Sequence, residues 1–547
     1  MRENFYNTDK LVRFMLEREV VISTVWILIL VLLSVAIAPG MADMFDADSR
    51  VQFVATLDNP VMVAMMGPVY GADNYTEGAM YTGMMLLWVI ITVAIMNIFL
   101  VARHTRADEE KGRAEVVRSL PVGRLANLNA AMITAFIVNG VLGLLMGLGL
   151  AATGVANMGF TGSMLFGAVT CAAGLVFAAL TALFCQLSAS KSGATGLSFL
   201  VLGGFYMIRA AGDLRGNEVL SCFSPLGLSL RAQAYIENNW WPVLVLLLIG
   251  AAITAAAYKL NSIRDLEQGF IPAKQGKKEA SSFLRSNFGL AFRLLRNTIV
   301  VWIIVMFVLG ASYGSVTGNI STFVGDSPEY LQILGMPKAL VDALTGIEKE
   351  SMIQIYFLSF VTTMMTLVCI VPLLIAAMKP RNEEKDHRAE HVLSRVVPRV
   401  KYLADYIVLA YASSVLIPLA TAMGIYAASA SVMGDANPFT LELLLKANMV
   451  YLPALWVMIG IAVLLVGALP KISGAIWGYF GFVCFASFMG EVIGVPDWVL
   501  NLAPLKHVPQ VLLVDMDYAP LIVMAVIAAV FTAVGLVFYK KRDMVMA

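Results

Sequence analysis

Few side chains in this sequence could do chemistry, and most of those are kept apart. Of 547 residues, 59% are hydrophobic and 14% charged, against about 25% charged in a soluble chain. Within the long apolar runs the polar groups are Asn97, Asn139, Gln186, Arg209 and Glu491. An ionisable residue at membrane depth marks a functional candidate by default, yet Arg209 and Glu491 fall at predicted span ends, where snorkelling satisfies them. No ladder of ionisable groups suits a proton relay. His104, His387, His391 and His507 lie in loops and form no ligand cluster. Cys171, Cys185, Cys222, Cys369 and Cys484 are an odd set without C-x-x-C, which points to neither a disulfide framework nor a zinc site. No G-x-x-x-x-G-K-[ST] loop exists; Gly276-Lys277-Lys278 lacks the leading glycine and the hydroxyl, so nucleotide is not held by that device. A polytopic enzyme would need His, Asp or Glu converging at one membrane face, and the sequence supplies none.

Charge collects instead in one segment that is written twice. Residues 106–124 and 381–399 are identical at nine of nineteen positions without a gap, at an offset of 275. The matches include Arg106/Arg381, Glu109/Glu384, Arg113/Arg388, Glu115/Glu390 and Arg124/Arg399. Glu109–Arg113 and Glu384–Arg388 are spaced i,i+4, while Glu110–Arg113 and Glu115–Arg118 are spaced i,i+3, which favours a short helix facing solvent. Pro121 and Pro398 then end it. A loop that only supplied positive charge would need no retained acids. With Glu109 and Arg113 in water, replacing both by Ala is expected to leave folding intact.

The elements that carry these segments follow from hydropathy. A helix needs about 20 apolar residues to cross the hydrocarbon. Such stretches begin near Val20, Met84, Leu128, Ser163, Gly193, Trp241, Ile299, Met352, Tyr406, Met449, Ser473 and Pro520. The first has an Ala36-Ile37-Ala38 element like a signal peptide, but an equivalent segment recurs after Arg296, in mid-chain. With the N-terminus in the cytoplasm, 30 of the 38 Lys and Arg lie on the cytoplasmic side, as the positive-inside rule requires. The fold class is therefore all-α: a polytopic membrane protein of about twelve transmembrane helices, arranged as two parallel six-helix repeats.

Other repeats keep the same order: Arg264-Asp265 with Arg542-Asp543, and Ser224-Pro225-Leu226 with Ala503-Pro504-Leu505. Residues 1–260 read as the first half, 261–282 as a polar cytoplasmic linker and 283–547 as the second half. An even number of spans per half makes the repeats parallel, about an axis along the membrane normal. Each half opens on a basic amphipathic segment, Leu11, Val12, Met15 and Leu16 or Leu284, Phe288, Phe292 and Leu295, expected as an interfacial helix. The segments Ala42 to Thr82 and Thr317 to Ser351 are expected to pack over the outer mouth.

At Glu109-Glu110-Lys111-Gly112-Arg113-Ala114-Glu115, followed by Pro121-Val122-Gly123-Arg124, the chain resembles bacterial ABC-2-type transporter permeases. The duplicated layout, Arg264-Asp265 with Gly269 to Gly276, and Ser224-Pro225-Leu226-Gly227 look more narrowly like the fused permeases known as exporters of polyketide antibiotics. The resemblance implies a permease in the bacterial plasma membrane, with both termini cytoplasmic. It implies a separate ATPase homodimer that binds ATP and Mg, while this chain binds no cofactor or metal. It also implies that Glu109, Glu110, Arg113, Glu115 and Arg124, with Glu384, Arg388, Glu390 and Arg399, form two coupling helices that dock the ATPase. In the second copy His387 replaces the glycine, and Val396 and Pro398 displace the proline, so that loop is expected to be weaker or differently shaped.

By the same analogy, Trp88, Met96, Phe205, Tyr206, Tyr356, Met364, Trp477 and Phe480 are expected to line a substrate cavity. Aromatic and Met side chains suit an amphipathic, drug-like or lipid-like substrate; ordinary helix packing explains any single one equally well. The rival reading is a proton-coupled secondary transporter of 6+6 architecture. Long outer segments and the absence of a central ionisable chain count against it.

Overall fold

A computed structural model describes residues 2–44, 50, 54, 57, 60–265, 268–271, 278–318, 320, 346–395, 397–434, 437–488, 495–514 and 516–542. Glu491, Val396, most of the 317–351 segment and part of the 261–282 linker lie outside the described residues. The chain separates into two compact units, Met1–Gln275 and Gly276–Ala547. Among the described residues eleven helices are long and apolar enough to cross a membrane, and a shorter apolar helix begins at Ala475. Helices are the form that lipid imposes, because every backbone N–H and C=O must find its partner inside the segment.

In unit 1 the helices are α1 (Thr8–Met44), α2 (Pro60–Met66), α3 (Glu77–His104), α4 (Arg106–Glu110), α5 (Arg113–Arg118), α6 (Ala126–Ala152), α7 (Phe160–Leu187), α8 (Lys191–Leu214), α9 (Glu218–Cys222), α10 (Pro225–Leu230) and α11 (Trp241–Ile263). Unit 2 follows with α12 (Asn287–Thr317), α13 (Gly346–Lys385), α14 (Arg388–Leu393), α15 (Arg399–Met433), α16 (Leu441–Met449), α17 (Leu452–Ala468), α18 (Ala475–Phe488), α19 (Asp497–Leu500) and α20 (Tyr518–Lys541). The apolar stripe from Leu11 to Leu16, with its flanking basic residues, is the first turns of α1. It is continuous with the span rather than a separate helix, and Phe288 to Leu295 likewise belong to α12.

Small residues let these helices close on one another. A Cβ on Gly167 of α7 would lie 2.1 Å from the Gly143 carbonyl of α6, and one on Gly467 of α17 would lie 2.1 Å from that of Gly535 of α20. Backbones in van der Waals contact are the main source of helix association where lipid removes the hydrophobic drive. The Ser224-Pro225 element has a local cause as well. Ser224 caps α10 through Leu226 N–H at 3.2 Å, with Pro225 in the first turn. Ala503 has no hydroxyl, and Pro504–His507 form only a 3-10 turn without a side-chain cap.

The intramembrane polar residues prove to be internal ties. Asn97 and Asn139 exchange amide hydrogen bonds at 2.9 and 2.7 Å, and each also donates to its own helix. Gln186 accepts from Asn261 at 2.9 Å. Replacing Asn97 alone with Leu leaves the Asn139 amide without its partner in an apolar core, and should lower stability by about 1–2 kcal/mol. Thermal unfolding in detergent measures this, and the Asn97→Leu/Asn139→Leu double variant should recover part of the loss. Equal melting of Asn97→Leu and wild type would mean that the pair does not hold α3 to α6.

Arg209 does not snorkel: its side chain is fully buried. Its guanidinium donates to the carbonyls of Val63, Ala64 and Met65 at 3.3, 2.8 and 3.3 Å, and it pairs with the equally buried Asp213 at 3.4 Å. Those carbonyls end α2, so one arginine pins α2 onto α8.

Candidate functional site

The duplicated segment folds, in unit 1, as two short helices hinged at Gly112. Helix α4 continues the line of α3, the chain turns at Lys111-Gly112, and α5 leads back toward α6. Gly112 stands at φ 67°, in the left-handed region that glycine enters without a Cβ clash. Glu110, Arg113 and Glu115 are exposed, as expected, and so are Val116 of α5 and Leu120 just after it.

Glu109 is not in water, which corrects the solvent-facing expectation for it. It is buried, and its two carboxylate oxygens go to different arginines: Oε2 to Arg106 Nη1 at 2.6 Å and Oε1 to Arg264 Nη2 at 2.5 Å. Arg106 also donates to the Ala189 carbonyl between α7 and α8 at 2.7 Å. The backbone returns past the same point, since Arg124 Nη2 donates to the Arg264 carbonyl at 3.0 Å. The i,i+4 partner proposed for Arg113 is replaced by Asp108, at 3.3 Å. Asp108 is held bidentately by Arg18 of α1 at 2.8 and 3.0 Å.

The segment after α11 closes over this cluster. Arg264 Nη1 donates to the Gln268 carbonyl, and Ile271 N–H to Leu187, at 2.7 and 2.8 Å. A Cβ on Gly269 would come within 2.5 Å of Ser188 and Ala189 backbone atoms, so this approach requires glycine.

Unit 2 repeats the central Arg–Glu–Arg contact with different surroundings. Glu384 is half-buried, with its side chain 7% exposed, and receives Arg381 Nη1 at 3.3 Å and Arg542 Nη2 at 2.7 and 2.8 Å. Arg381 donates to the Pro470 carbonyl between α17 and α18 at 3.1 Å, and Arg399 to the Arg542 carbonyl at 2.8 Å. Arg388 pairs with Glu383 at 3.3 Å and with Asp386, not with Glu384. His387 takes the glycine's place at φ 57°, so the substituted loop keeps the same turn. Its Nδ1 meets Glu390 Oε1 at 2.9 Å.

One difference lies behind the cluster. Tyr539 donates to Glu384 at 2.7 Å, whereas its counterpart in unit 1 is Asn261. There, Glu109, Asn261, Gln186 and Arg124 line a cavity of about 20 Å³, room for a single water.

Of the residues expected to dock the ATPase, Glu109 and Glu384 form the centre of this cluster, whereas Arg124 and Arg399 are exposed and tie to it through the Arg264 and Arg542 carbonyls. Arg106, Arg381, Arg264 and Arg542, with the acids Asp108 and Glu383, join the site without having been expected there. The signal for the four arginines was present, because each is identical across the duplication. Turn geometry gives a direct test. Gly112→Val forces a β-branched residue to positive φ at about 1–2 kcal/mol, so hydrogen exchange of the amides at 113–118 should speed up. Gly112→Asn, which tolerates that region, should leave exchange unchanged; equal exchange in both variants would contradict the hinge.

The expected cavity residues are less uniform. In unit 1 Trp88 is exposed, Met96 is buried in the core and Phe205 packs edge-on to Phe177 at 6.4 Å. Tyr206 donates to Met65 at 3.2 Å with Arg209 4.6 Å above its ring, which engages it in the α2 anchor. In unit 2 Tyr356 and Met364 are half-buried, while Trp477 is exposed with Phe480 edge-on at 6.3 Å.

Known proteins match this chain over nearly its whole length. A family model described as the C-terminal domain of the multidrug efflux system permease Rv1217c matches residues 14–259 and 284–540. Each matched segment falls inside one of the two units. The multidrug efflux system permease protein Rv1217c of Mycobacterium tuberculosis (strain ATCC 25618 / H37Rv) is 33% identical over 543 residues, covering 98% of this chain and 95% of that protein.

Proposed function

We propose, from the premise that the chain belongs to the ABC-2-type multidrug efflux permeases of the Rv1217c family, that it is the membrane subunit of an ATP-driven exporter whose motor is a separate ATPase homodimer. The observation that carries this reading is the charged loop built twice in one backbone shape, hinged at Gly112 and again at His387. A motor of two identical subunits needs two similar seats, and a permease folded from a single chain can supply them only by internal repetition. ATP and Mg are held by the ATPase; this chain provides the seats and the pathway.

Each loop offers an exposed knob with a charged rim. In unit 1 the knob is Val116 of α5 and Leu120 just after it, flanked by Glu110, Arg113 and Glu115. An apolar centre within polar edges is the usual composition of a protein interface. In unit 2 the corresponding positions are His391 of α14 and Arg395 just after it, so the second seat is more polar. Closure of the ATPases on nucleotide moves both loops, and the permease responds by exchanging one arrangement of its spans for another. The loops face the cytoplasm of a bacterial cell, and the cargo is an amphipathic small molecule that enters from the membrane or cytosol.

The test is efflux of ethidium from cells that express the permease with an ATPase encoded beside it. Replacing the phosphate-loop lysine of that ATPase with Ala should abolish efflux. Efflux that survives this change but collapses with a protonophore would instead establish a secondary transporter.

A further inference from the structure

The charged loop joins α3 to α6 through the chain itself, and α13 to α15 in unit 2, but it reaches the sixth span of each unit only through side chains. That contact is the Arg–Glu–Arg cluster. Glu109 and Arg264 are 155 residues apart, and Glu384 and Arg542 are 158 apart. We propose that Glu109 and Glu384 are positioning residues that lock the charged loop to the end of α11 or α20, so that the loop and the sixth span move as one body. The inference rests on the docking role given to the loop above.

Three observations support it. First, both carboxylate oxygens of Glu109 are engaged, by arginines that approach from α4 and from the end of α11. The carboxylate cannot turn toward one element without leaving the other. Second, neighbouring backbone at this end is tied in as well: Arg106 binds the α7–α8 connection, and Arg124 binds the carbonyl of Arg264. A push on the loop is therefore not absorbed by a slack connection. Third, all three members of the cluster are identical across the duplication, Arg106/Arg381, Glu109/Glu384 and Arg264/Arg542, as is the Arg124/Arg399 tie, while the neighbour Asn261/Tyr539 is not. Well-packed apolar residues stabilise a core as well as a buried ion cluster does. Stability alone thus gives no reason to keep the cluster twice; a fixed register between loop and span does.

The experiment uses the full-length permease with its ATPase in lipid nanodiscs, the five native cysteines replaced by alanine. Spin labels go on Ser119→Cys, at the exposed end of α5, and on Ser262→Cys, exposed near the end of α11. Adding the ATPase should slow the label at 119. The inter-label distance is then read without nucleotide and after trapping with ATP and vanadate. In the otherwise unaltered chain the distance should stay constant. In Glu109→Gln it should change by about 1–2 Å, the scale of helix shifts in switching proteins. Arg264→Lys keeps the charge but loses the fork and should give a smaller change, which covers the case of poor folding in the first variant. A distance that changes without the substitution, or that stays fixed in both variants, overturns the inference while the docking reading stands. A label at 119 that is indifferent to the ATPase overturns the docking reading itself.

Discussion

Arg209→Met should lower the thermal midpoint of the protein by about 10 °C, equivalent to roughly 3–5 kcal/mol. Methionine fills much of the volume but makes none of the bonds. The carbonyls of Val63, Ala64 and Met65 lose their donor at the end of α2, where a helix leaves its last carbonyls unpaired and favours a cation. Asp213, 1% exposed, loses the guanidinium 3.4 Å away, and a buried carboxylate without its counter-charge is the larger penalty. The double variant Arg209→Met/Asp213→Leu should therefore melt above Arg209→Met, because it removes the stranded charge. Melting is followed by tryptophan fluorescence in detergent, and protease cleavage near 60–66 reports release of α2. If Arg209→Met melts with wild type, the residue is a surface group after all.

Eleven of the twelve expected spans and the duplication are legible in the sequence because both are written in periodic or repeated form; the stretch near Ser473 becomes a shorter helix among the described residues. Apolar runs and the pairing of residues 106–124 with 381–399 need no tertiary information. The surroundings of Glu109 and Arg209 are not legible, for one shared reason. Spacing along a helix predicts local partners, i+3 or i+4, but the low dielectric of a buried site rewards whichever opposite charge the fold delivers. Arg264 reaches Glu109 from 155 positions away, and the acceptors of Arg209 lie more than 140 positions upstream. Span ends also read as water-facing from hydropathy alone, although a short helix such as α2 can cover them. The αL hinge was half legible: Gly112 announced it, while His387 concealed that unit 2 makes the same turn. Only the shared offset showed that the positions correspond.

The loop itself separates two kinds of charged residue, and substitution should separate them by stability. Glu109→Ala leaves Arg106 and Arg264 buried against each other, and should destabilise unit 1 by about 3–5 kcal/mol; Glu384→Ala should do the same in unit 2 through Arg381 and Arg542. Arg113→Ala removes an arginine that is 55% exposed and pairs with Asp108 at 3.3 Å. Arg18 still holds Asp108 bidentately, so the expected change is below about 1 kcal/mol. Arg388→Ala, with a side chain 57% exposed, should behave alike. Thermal melting ranks the four single variants, and binding of the purified ATPase distinguishes them again. Arg113→Ala should weaken docking in a protein that still folds, whereas Glu109→Ala weakens it only as far as the protein unfolds. If Glu109→Ala and Arg113→Ala prove equally harmless to melting, the carboxylate faces water and the cluster does not hold the loop. If they are equally harmful, Arg113 belongs to the buried cluster, contrary to its exposure.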